Sequence, residues 1–240
     1  MIDECLDFFN AGVLTSQYTA QTMTTALAQS PVIRQKIREE FQRHAYQHPD
    51  GERSDLGKKE LLMKVANFET LQDMNYLSWV IMETLRIQSP TFSTSYLMLT
   101  QDAIIGNINI RKGDTFIVNS HYLHSDGKEW QKPGEFIPER FDNTNPISKT
   151  PSGNKRNPGS WVPFGGGKRV CFGKTFAETS LKLVAIYLCH YFNFSFVDKK
   201  FETEFPVAHF GMSKRNKVEI VLTSADPENV SMQPEPRTLQ

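Results

Sequence analysis

Phe164-Gly165-Gly166-Gly167-Lys168-Arg169-Val170-Cys171-Phe172-Gly173 governs how the rest of this 240-residue chain is read. Its three consecutive glycines predict a tight turn, and a helix-compatible run from about Lys174 to Tyr191 starts directly afterwards. A sulfur placed there meets unpaired backbone N–H groups and the positive end of the helix dipole. Lys168 and Arg169 add positive charge beside it. Such surroundings suit an anionic sulfur acting as a metal ligand or a nucleophile. Phe164 and Phe172 are expected to limit water access and to give a ligated sulfur an apolar shell. Taken alone, the same cysteine also reads as a buried structural thiol beside a flexible turn. Gly173-Lys174-Thr175 imitates the end of a phosphate-binding loop, Gly-x-x-x-x-Gly-Lys-Ser/Thr, but the first glycine of that pattern would fall on Lys168 and no strand precedes it.

With its spacing taken whole, the segment resembles the haem-binding signature of the cytochrome P-450 family, Phe-x-x-Gly-x-Arg-x-Cys-x-Gly, supplied here by Phe164, Gly167, Arg169, Cys171 and Gly173. The resemblance implies that Cys171 is the axial thiolate ligand to the iron of haem b. It implies also that Phe164, Gly167, Arg169 and Gly173 shape the cofactor-binding loop, with Arg169 facing a propionate. Three further matches follow the family's order. Glu83-Thr84-Leu85-Arg86 resembles its Glu-x-x-Arg element, although by itself such an i,i+3 pair is a solvated helix pair contributing about 0.2–0.5 kcal/mol. Pro138-Glu139-Arg140-Phe141 matches its Pro-x-Arg-Phe stretch, preceded by His124, Asp126, Trp130, Pro133 and Phe136. By this resemblance Glu83, Arg86 and Arg140 form a buried structural triad that locks the cysteine loop, a scaffold rather than a chemical group. Ala11-Gly12-Val13-Leu14-Thr15-Ser16 is similar to the oxygen-binding helix, patterned Ala-Gly-x-acid-Thr. That implies catalytic places for Ala11, Gly12 and Thr15: small residues leave a groove over the iron, and the Thr15 hydroxyl helps protonate bound dioxygen. Leu14 stands where the family has an acid. Tyr96 falls where the family often has a propionate-binding arginine, so a hydrogen bond without a charge is expected there. Thr91 to Ser95 and Phe210-Gly211 fall where substrate-contacting loops lie.

The periodicity outward from these motifs predicts helices over 3–28, 31–46 and 70–87, the last ended by Ser89-Pro90. Short strand-like runs occupy 94–119, broken by Gly106-Asn107 and Lys112-Gly113, and further strands are expected near 194–197 and 218–222. Residues 48–58 read as a polar loop. Residues 125–170 read as a long proline-punctuated loop of the kind that is functional or disordered. The fold class expected is mainly α with small β-sheets, the C-terminal half of the cytochrome P-450 fold. Residues 1–224 form part of one domain in this reading, with 225–240 a disordered tail and the N-terminal half of the family fold absent. Helices deprived of that half are expected to expose apolar faces.

Basic and acidic residues number 27 each, so no global field points to nucleic acid or an anionic surface. Three scattered cysteines, Cys5, Cys171 and Cys189, make no disulfide framework and favour an intracellular, reducing setting. Met1-Ile2-Asp3-Glu4 lacks the basic start of a signal peptide, and no run of eighteen apolar residues is present. The resemblance admits an endoplasmic reticulum membrane for a full-length form. It implies a monooxygenase that inserts one atom of dioxygen into a small apolar organic substrate, with NADPH acting only through a partner reductase. Lys168, Lys174 and Lys182 are expected on a basic docking surface or as ordinary solvated lysines. Two other outcomes are carried forward: a haem-free remnant without activity, and a haem-thiolate isomerase or dehydratase suggested by Leu14.

Overall fold

The computed structural model of the protein describes residues 2–47, 62, 64–93, 96–203 and 218–225. The expected loop at 48–58, Thr94-Ser95, Phe210-Gly211 and residues 226–240 lie outside the described residues. The fold is mainly helical, and the described strands make three two-stranded antiparallel sheets. No helix among the described residues is long and apolar enough to cross a membrane.

Helix α1 spans Ile2–Gln29 and α2 spans Pro31–Gln47. Proline at the first position of α2 gives up an N–H that has no helical partner there, so the two helices meet at Ser30 with little loss. The expected helix over 70–87 is two helices, α3 at Phe68–Asp73 and α4 at Asn75–Ile87. They are separated by Met74, whose ψ of 89° leaves the helical region. The strands are β1 Leu97–Met98, β2 Ala103–Ile105, β3 Ile108–Ile110, β4 Thr115–Phe116, β5 Phe192–Phe196 and β6 Ile220–Ser224. Helix α5 covers Ser120–Ser125 and α6 covers Lys174–Tyr191.

The chain divides into two compact units. Among the described residues, one comprises 20–47, 62, 64–81, 176–203 and 218–225. Its core is built from the periodic positions of the helices, among them Met23, Leu27, Ile37, Leu71, Leu77 and Ile186. Buried charges there cap helix ends. The Glu40 carboxylate accepts from the N–H groups of Tyr76 and Leu77 at 2.7 and 2.9 Å, placing an anion at the start of α4. Arg34 donates to the carbonyl of Leu27 near the end of α1, and Arg38 donates to the carbonyls of Cys189 and Phe192. Cys189 is buried among these elements, and burial pushes its thiol up to about 12. Lys182, expected at a docking surface, is buried instead, and its ammonium donates to the Leu71 carbonyl at 2.6 Å. Its place on α6, one turn after Glu178, turns it towards the core, and the aliphatic stem lets it reach a helix-terminal carbonyl.

The other unit comprises the described residues 2–19, 82–93 and 96–175. It holds all the motifs singled out in the sequence. Its strands pair as β1 with β4 and β2 with β3, the second pair in the register Ala103↔Ile110 to Ile105↔Ile108. The first turns of α1 lie open, with Leu6, Phe9, Val13 and Leu14 all exposed.

Candidate functional site

Residues 126–173 are not loose. Residues 131–135 among them are folded against two guanidinium groups, because a long segment without strands or long helices must find donors for its carbonyls elsewhere. Glu83 and Arg86 lie one turn apart on α4, so their side chains share a face, and the carboxylate takes a two-pronged bond from Arg86 at 2.7 and 2.9 Å. Arg140 Nε donates to the same carboxylate at 2.9 Å, as does the Ile137 N–H. The remaining guanidinium nitrogens serve the loop. Arg86 donates to the carbonyls of His124, Pro133 and Glu135, and Arg140 to those of Gln131, Lys132 and Glu135. All three charged side chains are at most 2% exposed. Lys132 adopts a φ of +47°, the left-handed backbone that few non-glycine residues take, and its carbonyl is one of those held by Arg140.

Two residues that the sequence reading left without a role, the first with Arg156 packed on it, complete this arrangement. Trp130, 1% exposed, lies beneath the Arg86 and Arg156 guanidiniums, 5.2 and 4.4 Å from its ring centre, and its indole N–H donates to the Leu123 carbonyl. Arg156 also donates to the Arg140 carbonyl at 2.5 Å. Burial, with Arg140 close by, brings Arg156 down to about 10. Nothing in the local sequence marks Arg156, since it lies in a polar run and its partners are distant along the chain.

The second is His124. It is 1% exposed, and its Nε2 accepts the Val162 N–H at 2.9 Å, so the neutral ring carries its proton on Nδ1. Burial first, then the positive charge of Arg86 and the neighbouring His121, lowers its pKa from 6.5 to about 4. A histidine held neutral in the fold but free to protonate when unfolded contributes stability that is fully present above pH 6.5 and is lost as pH falls towards 4. The amount is about 3 kcal/mol. Urea titrations of the chain and of H124Q between pH 7 and pH 4 are expected to diverge over that window, the parent losing more stability than the variant.

From Val162 the chain turns into the cysteine loop. The Gly165 N–H donates to the Val162 carbonyl at 3.0 Å, and the Cys171 N–H donates to the Phe164 carbonyl at 2.9 Å. Gly165 and Gly167 have φ of +72° and +65°, whereas Gly166 is extended at −161°. Alanine at 165 or 167 is therefore expected to cost about 1–2 kcal/mol in chemical denaturation, and at 166 clearly less. Cys171 is exposed, three residues ahead of α6. The expected shielding by Phe172 is not found: that ring is 79% exposed, because the residue points away from the packed side of the turn. Its edge meets Phe8 of α1 with ring centres 5.1 Å apart, which brings the start of α1 to the cysteine loop. Lys174 lies over the Phe164 ring at 5.9 Å. Arg169 is exposed and makes no hydrogen bond or ion pair among the described residues.

On α1, the Thr15 hydroxyl donates to the Ala11 carbonyl at 2.6 Å, and Leu14 is 43% exposed. A Cβ at Gly12 would meet nothing within 4 Å, so the helix surface is open beside it. Tyr96 is exposed as well. Among the described residues no three histidine, cysteine or carboxylate side chains come together as a metal site. The sulfur of Cys171 is thus an exposed soft donor outside any such cluster.

Comparison with known proteins gives a consistent result. The family model described as Cytochrome P450 matches residues 1–219. Cytochrome P450 3A15 of Cavia porcellus is 31% identical over 209 residues, covering 86% of this chain and 36% of that protein. Cytochrome P450 71AV8 of Cichorium intybus is 30% identical over 222 residues, 92% of this chain and 40% of that protein. A solved structure, the retinoic acid bound cyanobacterial CYP120A1, superposes with a TM-score of 0.71 at 25% identity, over 91% of this chain and 45% of that one. The chain spans 36%, 40% and 45% of the length of these three relatives.

Proposed function

The chain belongs to the cytochrome P450 family, and from that membership we propose that it is the haem-thiolate part of a monooxygenase, with Cys171 as the iron ligand. The observation that carries the reading is the exposed sulfur of Cys171, on a turn that backbone bonds already hold in shape. A single soft donor, with no second ligand cluster among the described residues, fits an iron whose other positions are filled by a porphyrin. The open surface at Gly12 and the exposed apolar side chains of Val13, Val170 and Phe172 fit a flat apolar macrocycle.

When bound, haem supplies the dioxygen chemistry by which one oxygen atom enters a small apolar organic substrate, with electrons from an NADPH-dependent reductase. The chain's own contribution is placement and proton handling. Cys171 binds as the thiolate, and its backbone N–H is fixed by Phe164, so the loop is already shaped for the ligand. Arg169, without a partner among the described residues, offers its guanidinium to a propionate. Ala11 and Gly12 keep α1 thin beside the site. The Thr15 hydroxyl gives its proton to the Ala11 carbonyl, which leaves the Oγ1 lone pairs to accept a hydrogen bond beside the site. Leu14 has no polar atom to offer, so Thr15 is the polar side chain of this motif. Glu83, Arg86 and Arg140 position the loop and touch no substrate.

The deciding experiment is the spectrum of the haem-reconstituted chain, reduced and exposed to carbon monoxide. The long-wavelength Soret band of a thiolate ligand is expected. Its absence would overturn the reading and leave the second one, a scaffold retained without haem.

A further inference from the structure

We propose that His124 is a positioning residue that joins the buried ion-pair scaffold to the loop carrying Cys171. Its backbone serves one side and its ring the other. The Asn119 side chain accepts from the Tyr122 N–H at 2.9 Å and starts the short helix α5, which ends with His124 and Ser125. There the His124 carbonyl accepts from Arg86 at 2.9 Å, fixing the residue to the carboxylate-bound guanidinium. The ring, packed out of solvent, accepts the Val162 N–H at 2.9 Å.

From Val162 to the sulfur only local bonds remain. The Val162 carbonyl holds Gly165, and the Phe164 carbonyl holds Cys171. The ring nitrogen is thus the side-chain contact that relates this turn to Arg86. A second tether sits one residue earlier, where the Trp161 indole donates to the Met82 carbonyl at 3.2 Å. Loss of the His124 acceptor should therefore loosen the turn without releasing it. An apolar replacement fills the same space but leaves the Val162 N–H without its acceptor. A glutamine can present its amide oxygen near the position of Nε2, whereas an asparagine is too short.

The consequence for catalysis rests on Cys171 being the iron ligand, but the placement of the loop does not, and the test is made on the chain without haem. Amide hydrogen exchange would be followed at Val162, Gly165 and Cys171 in the parent and in H124Q, H124N and H124L. Exchange at these amides is expected to quicken about tenfold in H124L and H124N, to stay near the parent rate in H124Q, and to be unchanged in helix 31–47. Equal acceleration in H124Q and H124L would overturn the proposal. So would acceleration shared evenly by helix 31–47, or no change in any variant. If the carbon monoxide spectrum fails while the exchange pattern holds, the haem reading falls and the positioning role of His124 stands.

Discussion

Replacing Glu83 by alanine is expected to remove about 3–5 kcal/mol of folding stability. That is a large share of the 5–15 kcal/mol typical of a folded domain. The carboxylate is the anion that Arg86 and Arg140 share, and Arg156 lies beside them through the Arg140 carbonyl and the Trp130 ring. Without it two buried guanidiniums face each other with carbonyls alone for company, and the Ile137 N–H also loses its acceptor. Urea denaturation followed by circular dichroism measures the loss as a lowered midpoint. Glu83→Gln should fall between parent and alanine variant, since the amide keeps one acceptor but no charge. A midpoint unchanged in both variants would show that the three charges do not hold the loop.

Replacing Cys171 by serine is expected to do the opposite: to leave stability within about 0.5 kcal/mol of the parent and to abolish the thiolate signature. The side chain is exposed, and the turn is held by backbone bonds that serine keeps. The soft thiolate that defines the ligand is what serine lacks. The measurement pairs thermal melting with the reduced carbon monoxide spectrum of the reconstituted chain. A long-wavelength band persisting in C171S would assign the ligand elsewhere, with Cys5, the other exposed thiol, the next residue to replace.

The elements that rest on local pattern were legible in the sequence. Helices α1, α2 and α6 follow their apolar spacing to within a few residues, and the Gly106-Asn107 turn closes β2 on β3 as expected. The break at Met74 was not, because the cap that starts α4 is the Glu40 carboxylate from a helix far upstream. Residues 125–170 read as loop because their order comes from arginine–carbonyl bonds, which have no periodicity. The grouping of Glu83, Arg86 and Arg140 followed from family resemblance, and the side-chain bonds now give it a geometry. Lys182 went astray because a lysine near a cysteine loop says nothing about which way its helix is turned. Arg156 left no trace, and His124 was marked by its spacing alone and not by a role, for each acts on partners defined only by the folded chain.

Heating gives the buried charges a further consequence. Hydration of ions carries a strongly negative entropy, so withholding water from Glu83, Arg86 and Arg140 becomes less costly as temperature rises, while apolar burial gains little more. Thermal motion should thus undo purely apolar contacts, such as those of Met23, Leu27 and Ile186, before it undoes the segment gathered around Trp130. The arginine-bound loop, the part of the chain with least regular structure, is expected to be its most heat-resistant.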